Sequence, residues 1–329
     1  MWPSQPPNPQ NYHIDPKRLR LRDIAEETIK AINNGYVVFA DAASNMLPNK
    51  HSLRQSAEDT VHHTEYYRPE STRLRFWYQG PSPAVAAEHH RHQSGVRVRV
   101  HLLQKSTLQG ARSLSESFPA SKIGVLNFAS ATKPGGGFIN GASAQEESIA
   151  RSSTLFLSLQ LPKVKVFYEL HDHDNKGGYY SHAMIYSPSV AIFRDDDGQW
   201  LRPYHVDVVT SPAVNAGLVR KLRCDGKSAT EDKILLVMKE RMGRVLALFE
   251  LRGTRNLVLG SFGTGVFQND VFSLAKIWGE LLGVPGARFA SSFDHVMFAI
   301  PDGHTLRKFE AGYNAAVNPP IDWFPRGVL

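Results

Sequence analysis

The stretch that most narrows the choice of fold is Ile123-Gly124-Val125-Leu126-Asn127-Phe128, almost wholly apolar, which runs on into three consecutive glycines, Gly135, Gly136 and Gly137. A strand with no polar face is stable only inside a sheet covered on both sides, the usual setting of parallel strands. The glycines permit positive φ angles and leave the main chain open to close approach by a bound group. After a gap of seven residues, Gln145-Glu146-Glu147 opens a helical pattern. A pair of carboxylates therefore meets whatever the glycine turn holds.

Strands and helices continue to alternate through most of the chain. Val96, Val98, Val100 and Leu102 alternate with Arg97, Arg99 and His101, as in an edge strand with one polar face. Further strands are expected at 123–128, 164–170, 183–193, 205–210, 256–259 and 295–300, and helices at 108–117, 145–159, 233–251, 271–282 and 305–315. Ser228-Ala229-Thr230-Glu231 reads as a capping box announcing the longest helix. This pattern predicts an α/β chain, a three-layer α/β/α sandwich with a mixed sheet, over residues 96–329. Residues 1–95 read as a mainly helical N-terminal accessory region. Its proline-rich first dozen residues are expected to be flexible, Asp15-Pro16 starts an amphipathic helix over residues 20–32, and Asn34-Gly35 stops it. Residues 44–95 are polar, rich in histidine and proline, and poorly periodic.

With 42% hydrophobic and 21% charged residues among 329, the chain can bury a large core, which excludes extensive disorder. No apolar run has membrane-spanning length and the start is not a signal peptide, so an intracellular monomer, cytoplasmic or nuclear, is expected. The single cysteine, Cys224, rules out an intrachain disulfide and a cysteine zinc cluster. Arg220, Lys221 and Arg223 lie near it, but without a histidine partner it reads as a loop cysteine. His171 and His173, flanked by Asp172 and Asp174, have metal-compatible spacing but no third ligand cluster, and read as a solvated loop. His62, His63, His89, His90 and His92 read as surface residues, and neither a metal nor a cofactor is expected. The net charge of +7 suits an anionic partner.

A second glycine loop, Gly260-Ser261-Phe262-Gly263-Thr264-Gly265-Val266-Phe267, follows the strand at 256–259 and precedes a helix. Its free N–H groups and the positive end of the helix suit a diphosphate. Its G-x-x-G-x-G order and late position exclude a nicotinamide-cofactor fingerprint. Both glycine loops follow strands, so they are expected to share one cleft at the carboxyl edge of the sheet.

These two motifs, in this order, resemble those of the poly(ADP-ribose) glycohydrolases of bacterial and fungal, or microbial, type, which are built on a macrodomain. The resemblance spans about residues 96–312. It implies that Glu147 carries the acid and base chemistry, while Glu146 and Asn127 contact the distal ribose. Gly135, Gly136, Gly137 and Gln145 complete the first signature. Gly263, Thr264, Gly265 and Val266 form the diphosphate loop, and Phe267 packs against the ribose that bears the scissile bond. Thr210-Ser211-Pro212-Ala213-Val214-Asn215 resembles a stretch near the nucleotide, with Asn215 as a binding residue. Read without the resemblance, Ser143-Ala144-Gln145-Glu146 is also a capping box that would make Glu146 structural, and Phe267 is also a core aromatic. Adjacent helical residues point about 100° apart, so the two carboxylates must divide the labour.

The expected activity is hydrolysis of the ribose–ribose O-glycosidic bond of poly(ADP-ribose), working from chain ends and releasing ADP-ribose, with ADP-ribosylated proteins as partners. The alternatives are hydrolysis of mono-ADP-ribosyl groups or O-acetyl-ADP-ribose, a non-catalytic ADP-ribose-binding module, and nucleic-acid binding. The last is suggested only by charge and by the aromatic and basic residues at 66–78.

Overall fold

The structure, a computed structural model, describes residues 15–40, 48–80, 97–222 and 227–319. The chain begins with α1 (Pro16–Asn34), a hairpin of β1 (Tyr36–Ala40) and β2 (Pro48–Ser52), α2 (Arg54–His63), β3 (Glu65–Tyr67) and α3 (Thr72–Arg75). It continues with β4 (Arg99–Leu103), α4 (Thr107–Ser117), β5 (Ile123–Phe128), α5 (Gln145–Ser152), α6 (Leu155–Leu159) and α7 (Pro162–His173). Then follow β6 (Met184–Arg194), β7 (Trp200–Ser211), α8 (Ala216–Leu222), α9 (Lys227–Leu251), β8 (Asn256–Leu259), α10 (Val271–Trp278), β9 (His295–Ala299) and α11 (Gly303–Val317).

Seven strands form one sheet in the order β3-β6-β7-β5-β8-β9-β4. The pairs made by β4, β5, β7, β8 and β9 with one another are parallel, while β6 pairs antiparallel with β7 and with β3. The sheet is thus mixed, as expected, with β4 on its edge and β5 at its centre. Successive residues of β5 serve opposite faces. Val125 joins Leu108, Leu114, Ile149 and Phe167 in one core layer, and Leu126 joins Met238, Phe249, Leu274 and Trp278 in the other. Each such aliphatic side chain contributes about 1.5–3 kcal/mol on burial. Gly124 is required for contact, since a Cβ there would lie 2.6 Å from the Phe249 ring. Helices on both faces make this the three-layer α/β/α arrangement read from the sequence. No helix among the described residues is long and apolar enough to cross a membrane.

The segment expected to be accessory contributes directly to this architecture. β3 adds an edge strand beyond β6, and α1 lies against the loop that follows the glycine triplet. Asp15 caps α1 by accepting from the Lys17 N–H, Pro16 occupies its first turn, and Gly35 ends it in the left-handed conformation (φ 75°).

Four local expectations are corrected. Residues 164–170 form part of α7 rather than a strand: buried Val164, Phe167, Tyr168 and His171 recur at helical spacing, and Pro162 sits in the first turn. His171 is consequently buried, bonded through Nε2 to the Ser181 hydroxyl at 2.7 Å, and is not part of a solvated loop. The helix expected over 145–159 breaks at Ser153 and Thr154, where the Thr154 N–H bonds to Ala191 O and the Ala191 N–H bonds to the Thr154 hydroxyl. α9 starts before Ser228, so that residue bonds to Asp232 one turn on rather than capping the helix. Residues 1–14, His89, His90, His92 and Cys224 lie outside the described residues, while His62 and His63 are exposed as expected.

Candidate active site

Loops at the carboxyl ends of β4, β5, β8 and β9 enclose a cleft of about 1080 Å³, the position where open α/β sheets bind ligands. Its walls include Ser106 and Thr107 after β4, Phe128 to Ser130 after β5, Gln145 to Ser148 at the start of α5, and Ile300 to Asp302 after β9. Ser261 and Gly263 to Phe267 form the opposite side, so both glycine-loop regions open onto one space.

The two carboxylates occupy different settings. Glu146 is only 2% exposed. Its Oε2 accepts from the Ser130 N–H at 2.6 Å and its Oε1 from Asn127 Nδ2 at 3.3 Å. Burial, which outweighs those two hydrogen bonds, pushes its carboxyl pKa up to about 8. Glu147 is partly exposed on the cleft wall, and its Oε1 accepts from the Gly137 N–H at 2.9 Å. Gly136, at φ 59°, fits against both acids: a Cβ there would stand 2.3 Å from Glu147 Oε1 and 3.2 Å from Glu146 Oε2. The glycine triplet thus shapes the carboxylate pair from behind, and none of its members lines the cleft wall.

Asn127 is fully buried. Its amide donates to Glu146 and to the Thr210 hydroxyl, and its Oδ1 has no partner among the described residues. Gln145 spends its whole amide on the fold. Its Oε1 accepts from the Phe128 N–H, and its Nε2 donates to Leu126 O and to the Thr107 hydroxyl, which locks α5 to the end of β5.

Across the cleft, Gly263 turns with φ 76° and receives on its carbonyl the N–H and the side-chain amide of Asn269, which also donates to Val214 O. The N–H groups of Gly265, Val266 and Phe267 make no hydrogen bond among the described residues, and Val266 is 83% exposed. The loop leads into α10, capped by Asp270 through the Ser273 N–H. Phe267 is half-buried, its ring 5.9 Å from that of Tyr180.

The family described as microbial-type PARG, catalytic domain, matches residues 25–195. The structure of poly(ADP-ribose) glycohydrolase from Thermomonospora curvata superposes with a TM-score of 0.73 at 35% identity, over 90% of this chain and 98% of that one. This chain belongs to the microbial-type PARG family. The same Thermomonospora enzyme bound to the inhibitor ADP-HPD matches with a TM-score of 0.71 at 35% identity, over 89% and 97% of the two chains. The Deinococcus radiodurans enzyme in complex with ADP-ribose matches with a TM-score of 0.65 at 32% identity, over 79% and 96%. No curated protein matches. The family resemblance reaches further towards the N-terminus than the expected residue 96, since it starts inside α1.

Most of the expected PARG-family residues converge: Gln145, Glu146, Glu147, Gly263, Thr264, Gly265, Val266 and Phe267 line the cleft, with Asn127 and Gly135 to Gly137 packed immediately behind the carboxylates. One alternative reading falls away and one expectation is corrected. Ser143, first residue of the alternative capping box, does not cap α5, whose N-cap is Ala144 without a side-chain bond, and Glu146 is buried. Asn215 does not line the cleft; its Oδ1 accepts from the Leu218 N–H at the start of α8. The wall formed by Lys105, Ser106, Asp196 and Asp197 was not anticipated. Ser106 and Gln109 form a complete capping box directly after β4, a sequence signal that could have marked a strand-to-helix turn at the sheet's ligand edge. No group of three or more potential metal ligands occurs among the described residues.

The raised pKa of Glu146 has a consequence for stability. The native protein keeps a proton that the unfolded chain loses above its ordinary carboxylate pKa, so stability falls as pH rises towards and through about 8. The slope from this one group reaches at most about 1.4 kcal/mol per pH unit. Glu146→Gln should remove that component. Thermal melts at pH 5 and pH 8 should show a smaller loss for the variant than for the unaltered protein.

Proposed function

We propose that this chain hydrolyses the ribose–ribose O-glycosidic bond of poly(ADP-ribose), with Glu147 as its acid and base. The observation that carries this reading is the placement of a partly exposed carboxylate, bonded to the glycine triplet, in the same cleft as a loop with three unbonded N–H groups. Those N–H groups and the N-terminus of α10 receive the diphosphate. Glu146, which lines the cleft, bonds a hydroxyl of the distal ribose, and the buried Asn127 amide holds it in place from behind. Phe267 packs on the ribose at the scissile bond.

Glu147 protonates the departing 2′ oxygen as the anomeric carbon develops oxocarbenium character, and the resulting carboxylate then takes a proton from the attacking water. One residue therefore performs both proton transfers. The resemblance to bacterial relatives favours action at chain ends.

Purified protein should release ADP-ribose from poly(ADP-ribose) and act far more slowly on a protein carrying single ADP-ribosyl groups. Chromatographic measurement of released ADP-ribose decides the matter. A protein that binds ADP-ribose but leaves the polymer intact would be a binding module, and preferential release from single sites would make it a mono-ADP-ribosyl hydrolase.

A further inference from the structure

α9 buries a cation that pairs with no carboxylate among the described residues. Arg241 is completely buried, and its guanidinium donates only to main-chain carbonyls. Nη1 bonds to Pro212 O at 3.0 Å, and Nη2 to Tyr179 O at 2.8 Å and to Tyr180 O at 3.3 Å. A buried charge is costly unless hydrogen-bonded, so guanidinium and carbonyls hold one another firmly. The loop they clamp is strained. Tyr180 adopts φ 53°, a left-handed conformation that is unusual for a bulky side chain and persists only where the surroundings impose it. His171 adds to that constraint: its ring meets Tyr180 in a T-shaped contact at 5.6 Å, and its Nε2 bonds to Ser181, the next residue.

Among the described residues, Tyr180 carries the one aromatic ring in contact with Phe267, at 5.9 Å between centroids and 37° between planes. Phe267 lines the cleft and Tyr180 does not. The Tyr180 hydroxyl makes no hydrogen bond among the described residues, so the ring itself is what it offers. The start of α8 joins the two loops. The Asn215 N–H donates to Gly178 O at 2.8 Å, the Gly217 N–H to Phe267 O at 3.2 Å, and Arg220 Nη1 to Gln268 O at 2.8 Å. Gln268 is itself left-handed, at φ 56°. Three of the four non-glycine residues with positive φ among the described residues, Lys176, Tyr180 and Gln268, thus lie in these two loops. Strain of this kind concentrates where exact placement matters to function.

We propose that Tyr180 is a positioning residue for the hydrolysis: its ring, fixed by the Arg241 clamp, sets the Phe267 ring against the ribose that bears the scissile bond. This role rests on the poly(ADP-ribose) reading above. Phe267 is half-buried on a loop with three unbonded N–H groups and a largely exposed Val266, so the loop alone does not fix the ring. Tyr180 supplies the missing support from outside the cleft. A retracted or tilted Phe267 leaves the ribose free to turn away from Glu147, which lowers the rate more than the affinity.

The test removes the ring while respecting the backbone. Asparagine tolerates the left-handed conformation and glycine adopts it freely, so Tyr180→Asn and Tyr180→Gly should both keep the fold, as thermal melts will show. Each should lower kcat on poly(ADP-ribose) about tenfold, while the affinity for free ADP-ribose, measured by calorimetry, changes by no more than about threefold. Tyr180→Phe, which keeps the ring, should hold kcat within about twofold of the unaltered protein. In a Phe267→Leu background, itself slowed, Tyr180→Asn should add no more than about a twofold further loss, because the two rings act through one contact. An unchanged kcat in Tyr180→Asn overturns the proposal, as do losses that multiply in the double variant. So does a Tyr180→Phe protein as slow as Tyr180→Asn, or a loss of rate in both ringless variants that only follows a lower thermal midpoint. Failure of the unaltered protein to cleave polymer would remove the functional reading and this role with it, whereas cleavage unaffected by the variants removes the role alone.

Discussion

With Glu147 replaced by glutamine, release of ADP-ribose from the polymer should slow by about 10²–10⁴-fold, the usual contribution of a positioned general acid or base. Binding of free ADP-ribose should remain within a few-fold of the unaltered protein. Glutamine keeps an oxygen that can accept from the Gly137 N–H, now received by Glu147 at 2.9 Å, so the glycine loop retains its support. It cannot give up or take back a proton at the reacting oxygen. The remainder of the cleft, including the second glycine loop at Gly263 to Phe267, is untouched. Single-turnover rates and calorimetric titration with ADP-ribose separate the two quantities. A loss of affinity that matches the loss of rate would make Glu147 a substrate-holding residue instead of the proton carrier.

Gly136→Ala should be nearly as damaging, although it removes no functional group. The residue adopts φ 59°, and an added Cβ would fall 2.3 Å from Glu147 Oε1 and 2.9 Å from its Cδ. The carboxylate must move, and displacement of a catalytic group by about 1 Å can cost about 100-fold in rate. The left-handed backbone adds about 1–2 kcal/mol of strain for a residue with a Cβ. Steady-state kinetics and urea denaturation should therefore show a large fall in kcat with a modest fall in stability. Gly137→Ala should be milder, because its Cβ would lie 3.0 Å from the Ala142 side chain and 3.9 Å from Glu147 Oε1. Equal kcat values for the two variants would show that crowding of Glu147 is not what governs the rate.

Much of this architecture is legible because the relevant period is local. β5 reads as a buried strand from its continuous apolar run, and β8 and α4 lie where a strand at 256–259 and a helix at 108–117 are expected. α7 was misread because Lys163, Val164, Lys165 and Val166 imitate the two-residue period of a strand, whereas Val164, Phe167, Tyr168 and His171 carry the three-to-four-residue period of its buried face. β3 is three residues long, too short to show any period, and it is defined by pairing with Met184 to Tyr186. The site divides in the same way. The carboxylates and both glycine loops were visible because each lies within one contiguous stretch. The wall at Ser106 and Asp196 joins residues remote in the chain through a hydrogen bond of 2.6 Å that no local pattern could announce. Glu146 was ambiguous for a different reason: the same letters suit a helix cap and a buried acid, and only its burial separates them.

The strand order also bears on how the molecule is made. A ribosome that has delivered Glu147 has not yet produced the whole cleft, because the second glycine loop follows β8, more than a hundred residues later in the chain. β4 emerges earlier still and then waits for β9, its parallel neighbour and the last strand among the described residues. Contacts so far apart in sequence form slowly. The nascent chain therefore carries its acidic pair as an unassembled half of a site until β8 and the loop after it have emerged, and the sheet is complete only once β9 has followed.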